Sequence, residues 1–297
     1  MTEILKLPKK SISKIDEQST LGHVIYVLRE NPVTLISFVL LAFFLICAVF
    51  GEFFVPYDPL ATNAALALKP PSWEHWFGTD NLGRDVFSRV VVATRLDLTI
   101  SVAAVALSFV IGSILGSLAG YWGGWLDAIL NRMLDTIMAF PLFVLAMGVV
   151  AALGNTVENI IYATAVINIP FYARLVRAEV NIRRHSGFSL AAKISGNSDL
   201  RVLAFHIFPN ALPPIMVQIS LNLGWAILNA AGLSFIGLGV RPPTPEWGIM
   251  VAEGANFIVS GEWWLAVFPG LWLMLAVFTF NLLGDGLRDI FDPRKRT

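Results

Sequence analysis

Residues 78–85 carry the residue types of a phosphate-binding loop and read Gly-Thr-Asp-Asn-Leu-Gly-Arg-Asp. Such a loop needs Lys and then Ser or Thr after its second glycine, so that these side chains reach phosphate and Mg²⁺. Here Arg84 and Asp85 follow Gly83 instead. We therefore expect a structured turn in which Asp and Arg side chains pair locally, not a nucleotide site.

No other group of residues has the spacing of a catalytic or metal site. The sequence lacks a nucleophile elbow, an HExxH motif and a pair of carboxylates inside an apolar run. Its four histidines are scattered, and its single cysteine, Cys47, lies in an apolar run. We expect no catalytic residue, no cofactor, no metal site and no disulfide. An ion-coupled carrier would bury an acidic group at mid-membrane depth, so we also expect no proton or sodium coupling.

A polar stripe interrupts the apolar stretch near residue 220. It consists of Gln218, Asn222, Trp225 and Asn229. At the helical period these four positions fall on one face, within about 60° of one another. Amides inside a membrane must find partners or water. The stripe therefore either lines a translocation pathway or forms hydrogen bonds between helices, and the sequence leaves both interpretations open.

A polar, helix-compatible segment spans residues 190–214 between apolar stretches. On the cytoplasmic side it would offer a docking surface to a soluble partner; the alternative is an amphipathic surface helix without one. The residues expected to form this surface are Ala191, Ala192, Gly196, Asn197, His206 and Pro209.

The same segment predicts its own local structure. The two alanines favour a helix, and Gly196 allows a turn. Asn197, Ser198 and Asp199 can cap a second helix through their side-chain oxygens. Pro209 cannot continue that helix internally, so we expect it at the entrance of the next span.

The composition places these residues in a membrane protein. Of 297 residues, 56% are hydrophobic and 14% charged, whereas about 25% are charged in soluble domains. The net charge is zero and no basic block is present, so we expect no nucleic-acid partner. Six spans are predicted, at residues 34–54, 98–120, 133–153, 158–177, 212–235 and 264–284.

Lysine and arginine set the orientation of these spans. With the N-terminus inside, 16 of the 21 basic residues lie on the cytoplasmic side, as the positive-inside rule requires. Both termini and residues 178–211 are then cytoplasmic, whereas residues 236–263 face outward. The expected organisation is a cytoplasmic segment (1–33), a first span, read as uncleaved, with a Pro- and Trp-rich outer segment (34–97), a five-helix core (98–285) and a cytoplasmic tail (286–297).

The second span carries small residues at every fourth position: Ser108, Gly112, Gly116 and Gly120. Such a stripe lets another helix approach closely. Plain helix packing is the favoured interpretation, and a mobile helix beside a pathway is the alternative.

The 190–214 segment resembles the EAA loop of ABC-importer permeases. That loop reads Glu-Ala-Ala, three residues, Gly, nine residues, and a hydrophobic-x-Leu-Pro end. The two alanines, Gly196 and Pro209 match, whereas Leu190 replaces the Glu and Phe208 replaces the Leu. Residues 77–89, 237–248 and 281–293 are similar to stretches of dipeptide/oligopeptide/nickel permeases. The first span and the outer segment after it resemble the C-type subunit.

The resemblance implies an all-α integral membrane protein with six transmembrane helices, the type I ABC-importer permease fold and a cytoplasmic EAA-type coupling loop. It implies a non-catalytic subunit that forms half of the pathway for di- or oligopeptides in the bacterial inner membrane, or for nickel, opines or other small solutes. The implied partners are a second homologous permease, two cytoplasmic ABC ATPases, an extracytoplasmic solute-binding protein and the lipid bilayer.

Two other classes of protein are alternatives to this interpretation. A self-contained carrier or channel would lack the large cytoplasmic loop and would bury a charge in the membrane. A membrane-embedded hydrolase would need a catalytic constellation, and none appears in the sequence.

Overall fold

The computed structural model describes residue 28 and residues 31–291, and no strand occurs among them. Most of the expected segment 1–33 and the last six residues of the expected tail 286–297 lie outside this described part. The helices are α1 (Pro32–Phe54), α2 (Val86–Trp122), α3 (Gly124–Met138), α4 (Leu142–Leu153), α5 (Val157–Arg183), α6 (Gly187–Ile194), α7 (Asp199–Phe235), α8 (Trp247–Ala255) and α9 (Trp264–Phe291).

Five of these helices are long and apolar enough to cross a membrane, namely α1, α2, α5, α7 and α9. The all-helical membrane fold is therefore confirmed. Helices α3 and α4 pass the same test only as a pair bent by 85°, which makes a sixth span if the pair is counted as one. The predicted span over 133–153 is broken between α3 and α4, because Pro141 disfavours a helical conformation at Phe140 and directly precedes α4.

Two helices begin well before the predicted spans. Helix α2 starts at Val86, where Asp85 caps it by accepting a hydrogen bond from the Ser88 N–H at 2.8 Å. Helix α7 starts at Asp199 and continues through Pro209. Hydropathy marks only the apolar part of a helix, whereas the cap and the hydrogen-bond ladder set where the helix itself starts.

Pro209 stands, as expected, at the entrance of the fifth span, because the α-helical stretch of α7 that carries it begins at Phe208 and places the proline in its first turn. A π-helical turn, Val202–Ile207, directly precedes the proline. Such a wide turn changes the hydrogen-bond register, which accommodates a residue that has no N–H to donate.

Helix α2 lies at the centre of the molecule and packs along α5 through the predicted glycine stripe. A Cβ atom at Gly112 would lie 2.6 Å from Tyr172 Cβ, and one at Gly120 would lie 2.6 Å from the Arg177 carbonyl oxygen. Only glycine leaves room for so close a backbone approach. The packing interpretation of the stripe is confirmed.

The remaining helices surround this pair. One buried cluster joins α1, α2, α8 and α9 around Phe44 and Trp247, and others join α2 and α5 to α4, α6 and α7. Helix α1 exposes large apolar side chains such as Val39 and Val49. That exposure suits a helix facing lipid or a partner protein within the membrane.

Candidate functional site

A cavity of about 370 Å³ opens between α4, α5, α7 and α9. All four residues of the predicted polar stripe line it: Gln218, Asn222, Trp225 and Asn229. The wall also includes Asn168 of α5, Asn281 of α9, and the rings of Phe143 and Phe171. The structure thus brings the stripe together at one cavity, while its role in a pathway stays a prediction.

The amides of the stripe bond within α7. Gln218 Nε2 donates to Asn222 Oδ1 at 2.8 Å, and Asn229 Nδ2 donates to the Trp225 carbonyl oxygen at 2.9 Å. Asn222 is only 3% exposed, and its Nδ2 has no hydrogen-bond partner among the described residues. These bonds hold the side chains in place without joining α7 to a neighbouring helix.

Sequence reasoning missed Asn168 and Asn281 as members of this site. Each lies on a different helix from the stripe, and periodicity along one helix carries no information about another. The available signal was chemical: an amide inside an apolar run must meet a partner or water.

The predicted docking surface contains a short helix with a defined end. Helix α6 stops at Gly196, which has φ of +85°. The Gly196 N–H donates to the Lys193 carbonyl at 2.9 Å, and the Asn197 N–H to the Ala192 carbonyl at 3.3 Å. This pair of bonds is a Schellman motif, for which a positive φ at the glycine is required.

The predicted capping of the next helix is wrong. Asn197 Nδ2 donates to the Ala192 carbonyl at 2.9 Å, and Ser198 makes no side-chain cap bond. The Asp199 carboxylate accepts from Tyr121 Oη at 2.5 Å and lies 3.1 Å from Lys193 Nζ. These side chains therefore fasten α6 to its surroundings instead of satisfying the first N–H groups of α7.

Tyr121 makes this contact from the end of α2. Its ring lies 5.0 Å below Lys193 Nζ, and its carbonyl accepts from Arg184 Nη1 at 2.9 Å. The Tyr121 hydroxyl, and after it the Asp199 carboxylate, raises the pKa of Lys193. The cation is thereby held beside the carbonyl end of α2, where the helix dipole favours positive charge.

The outer surface of α6 and the start of α7 is apolar. Ile194 is 88% exposed and Phe205 is 73% exposed. The other exposed apolar side chains here are Phe188, Leu190 and Leu200. Of the predicted docking residues, Ala191, Gly196 and Pro209 are exposed, Asn197 and His206 are half-buried, and Ala192 is buried beneath α6.

The 78–85 turn pairs its charges locally, as predicted. Asp80 Oδ2 accepts from Arg84 Nε at 2.5 Å, and Asp80 Oδ1 accepts from the Arg84 N–H at 2.9 Å. Buried Arg89 adds bonds to the carbonyl oxygens of Pro59 and Pro243. Arg89, in the first turn of α2, thus joins the two segments that were predicted to face outward.

A buried carboxyl pair, which sequence reasoning missed, lies where α2 meets the start of α8. Asp97 of α2 and Glu246, which caps α8, are 1% and 0% exposed, and the Asp97 carboxylate accepts from the N–H of Trp247, the residue after Glu246. Glu246 accepts from the Gly248 N–H at 2.9 Å and from the Ile249 N–H at 2.8 Å. The two residues lie far apart in the sequence, so composition within one apolar run could not reveal the pair.

Burial raises the pKa of Glu246. Two adjacent buried carboxyls disfavour each other's ionisation. In the described part of the chain, no group of three or more His, Cys, Asp or Glu side chains could hold a metal ion.

Comparison with protein families gives two matches that together cover most of the chain. Residues 112–297 match the binding-protein-dependent transport system inner membrane component family. Residues 19–71 match the N-terminal transmembrane domain of oligopeptide transport permease C. The second match includes α1 and the segment after it.

Individual relatives align over nearly their full length. The dipeptide transport system permease protein DppC of Alkalihalophilus pseudofirmus is 42% identical over 91% of this chain and 88% of its own length. The probable D,D-dipeptide transport system permease protein DdpC of Escherichia coli is 42% identical over 91% of both chains. The glutathione transport system permease protein GsiD of Escherichia coli is 43% identical over 90% of this chain and 88% of its own.

These matches extend from the first span through the docking surface and the last helix. They confirm the resemblance of this chain to permeases of binding-protein-dependent peptide importers. The chain belongs to the family of inner membrane components of binding-protein-dependent transport systems, as a permease subunit.

Proposed function

We propose that this chain forms half of the translocation pathway of an ATP-driven importer of di- or oligopeptides. Three relatives with dipeptide, D,D-dipeptide or glutathione in their names support the substrate class. The observation that carries the pathway is the amide-lined cavity between α4, α5, α7 and α9. An importer of the same type for nickel, opines or other small solutes is the second candidate.

The proposed complex contains a second homologous permease, two cytoplasmic ABC ATPases and an extracytoplasmic solute-binding protein. This chain supplies no catalytic residue, and ATP hydrolysis takes place on the ATPase subunits. It is a multi-pass protein of the bacterial inner membrane with both termini in the cytoplasm, a topology that the excess of basic residues on that side supports.

Helix α6 is the proposed coupling element. Its buried side packs on α7 through Ala192, while Ile194 and Phe188 point away from the molecule. Exposed apolar side chains in the cytoplasm need a protein partner, and a groove on an ATPase subunit supplies one. Closure of the ATPase pair would then move α6, and rigid-body tilting of the spans would switch the cavity from inward- to outward-facing.

The test is affinity purification of this subunit from native membranes in mild detergent, followed by mass spectrometry. A second permease and ATPase subunits should co-purify. A chain that purifies alone and transports by itself would establish the carrier interpretation instead.

The variant Ile194→Glu tests the docking face in the same experiment. A charge buried against an apolar groove should lower ATPase retention by about tenfold, equal to roughly 1.4 kcal/mol. Val259→Glu is the matched control, because Val259 is 98% exposed and lies in residues 236–263, the segment on the opposite side of the membrane from α6 in the proposed topology. Equal retention in both variants would refute the role of α6.

A further inference from the structure

A second groove, of about 700 Å³, lies between α1 and α2 and is separate from the amide-lined cavity. Its walls come from the 41–49 stretch of α1 and the 95–106 stretch of α2, and side chains of α7 and α9 complete them. The lining is apolar except for Thr99 and Arg95. Because the Thr99 hydroxyl donates to the Arg95 carbonyl oxygen at 2.6 Å, the Arg95 guanidinium is the polar group left for an occupant.

The groove is as long as one leaflet of a bilayer is deep. From Arg95 to Ala106, helix α2 rises about 16 Å at 1.5 Å per residue. Half of a hydrocarbon core of about 30 Å is about 15 Å. In the proposed topology Arg95 marks the outer end of the groove, and Ala106 lies near the middle of the membrane. A helix of a second permease would need a groove through the full thickness, whereas an acyl chain of the outer leaflet ends at this depth.

Two opposite charges lie at the outer end of the groove. Arg95 Nη1 is 3.7 Å from Glu52 Oε1, and the two side chains are 69% and 65% exposed. A guanidinium has several N–H donors and a carboxylate several acceptor sites, so this single contact leaves both groups able to bind more. A phosphate pairs with the guanidinium, and an ammonium group pairs with the carboxylate. A headgroup that carries both charges therefore fits this pair.

We propose that the groove binds phosphatidylethanolamine from the outer leaflet of the membrane. One acyl chain lies along α1 and α2, the phosphate contacts Arg95, and the primary ammonium group donates to Glu52. Phosphatidylcholine keeps the positive charge but has no N–H to donate, and phosphatidylglycerol has no cation. The proposal uses the proposed topology and does not depend on the transported solute.

Native mass spectrometry of the purified complex, titrated with these three lipids carrying identical acyl chains, tests the headgroup. Phosphatidylethanolamine should bind about fivefold more tightly than the other two, the upper range for a charge pair at an exposed site. Glu52→Gln should abolish this preference, and Arg95→Gln should weaken binding of all three lipids. Glu74→Gln and Arg241→Gln are the matched controls, because both residues are exposed in segments predicted to face outward. Equal binding of the three lipids to the wild type would overturn the proposal.

A phosphatidylethanolamine with a photoreactive diazirine in its acyl chain locates the site. Irradiation should label the 41–49 and 98–106 stretches, and Ala106→Phe should reduce this labelling severalfold because the ring fills the groove. Val110→Phe is the matched control, since Val110 is 51% exposed one turn further along α2 and does not line the groove. Labelling spread evenly over the exposed helix faces would contradict a specific site.

A photoreactive benzoylphenylalanine at Val102 separates a lipid from a protein occupant. Val102 lines the groove and is 52% exposed. In native membranes it should crosslink to phospholipid, whereas crosslinks to the second permease would show that the groove is a protein interface and refute the lipid site. No transported solute enters these measurements, so their outcome is distinguishable from failure of the proposed peptide function.

Discussion

Two buried carboxyls, Asp97 and Glu246, lie where α2 contacts α8. Asp97 accepts from the Trp247 N–H at 3.2 Å, and Trp247 Nε1 donates to the Val90 carbonyl at 3.0 Å. Glu246 uses its own oxygens to cap α8. These bonds satisfy the first three backbone N–H groups of α8.

The pH dependence follows from the raised pKa of Glu246. Unfolding releases this carboxyl to water, where its pKa is about 4.3. The free energy of unfolding therefore falls as the pH rises above that value, and it levels off above the raised pKa. The variant Asp97→Asn should reduce this decrease in the free energy of unfolding. Its amide can donate a hydrogen bond to an ionised Glu246, and such a bond contributes about 1.5–3 kcal/mol.

Melting temperatures between pH 5 and 9 in detergent check this prediction. Asp58→Asn is the control, since exposed Asp58 also accepts one backbone N–H, from Leu60 at 2.8 Å. If the melting temperatures of wild type and Asp97→Asn change with pH in parallel, the pH dependence does not arise from this carboxyl pair.

Periodicity placed the α7 stripe correctly because the four residues lie on one helix. It could not add Asn168 or Asn281, nor pair Asp97 with Glu246, because those contacts depend on how separate helices pack. Single-helix patterns predict a face, and tertiary packing decides what that face meets.

At the scale of elements, glycines let α2 and α5 approach each other closely. A Cβ atom at Gly116 would overlap the carbonyl oxygen of Ala173. A backbone carbonyl cannot move aside as the end of a flexible side chain can, so a methyl group added at Gly116 must push the two helices apart.

Gly116→Ala should therefore destabilise the protein by about 1–3 kcal/mol, the usual cost of overpacking. Gly148→Ala is the matched control, because this helical glycine has open space around its Cβ position. Alanine there should be neutral or stabilise by about 0.5–1 kcal/mol. Thermal unfolding of both variants in detergent tests this prediction. A Gly116→Ala variant as stable as the wild type would mean that α2 and α5 are not rigidly packed.

The elements themselves were largely accessible from hydropathy, since a span must be long and apolar. The bend between α3 and α4 was not, because the apolar run continues through Pro141 while the backbone direction changes by 85°. The early start of α7 was missed because residues 199–211 are too polar to be counted as a span.

Over the whole molecule, the docking helix and the cavity are connected through packed helices. Lys193 and Asp199 fasten α6 and the start of α7 to Tyr121, at the end of α2. Helix α2 packs on α5, and α5 and α7 both line the cavity. We therefore expect a displacement of α6 to reach the cavity walls as movement of whole helices.

The variant Tyr121→Phe tests this connection. It removes the 2.5 Å hydrogen bond to Asp199 and keeps the ring beneath Lys193. Assembly should persist, while peptide transported per ATP hydrolysed in vesicles should fall severalfold, because part of the α6 movement no longer reaches α2. Tyr162→Phe on α5, a tyrosine that is 49% exposed, is the control. An unchanged transport ratio in Tyr121→Phe would mean that movement reaches the cavity through α7 alone.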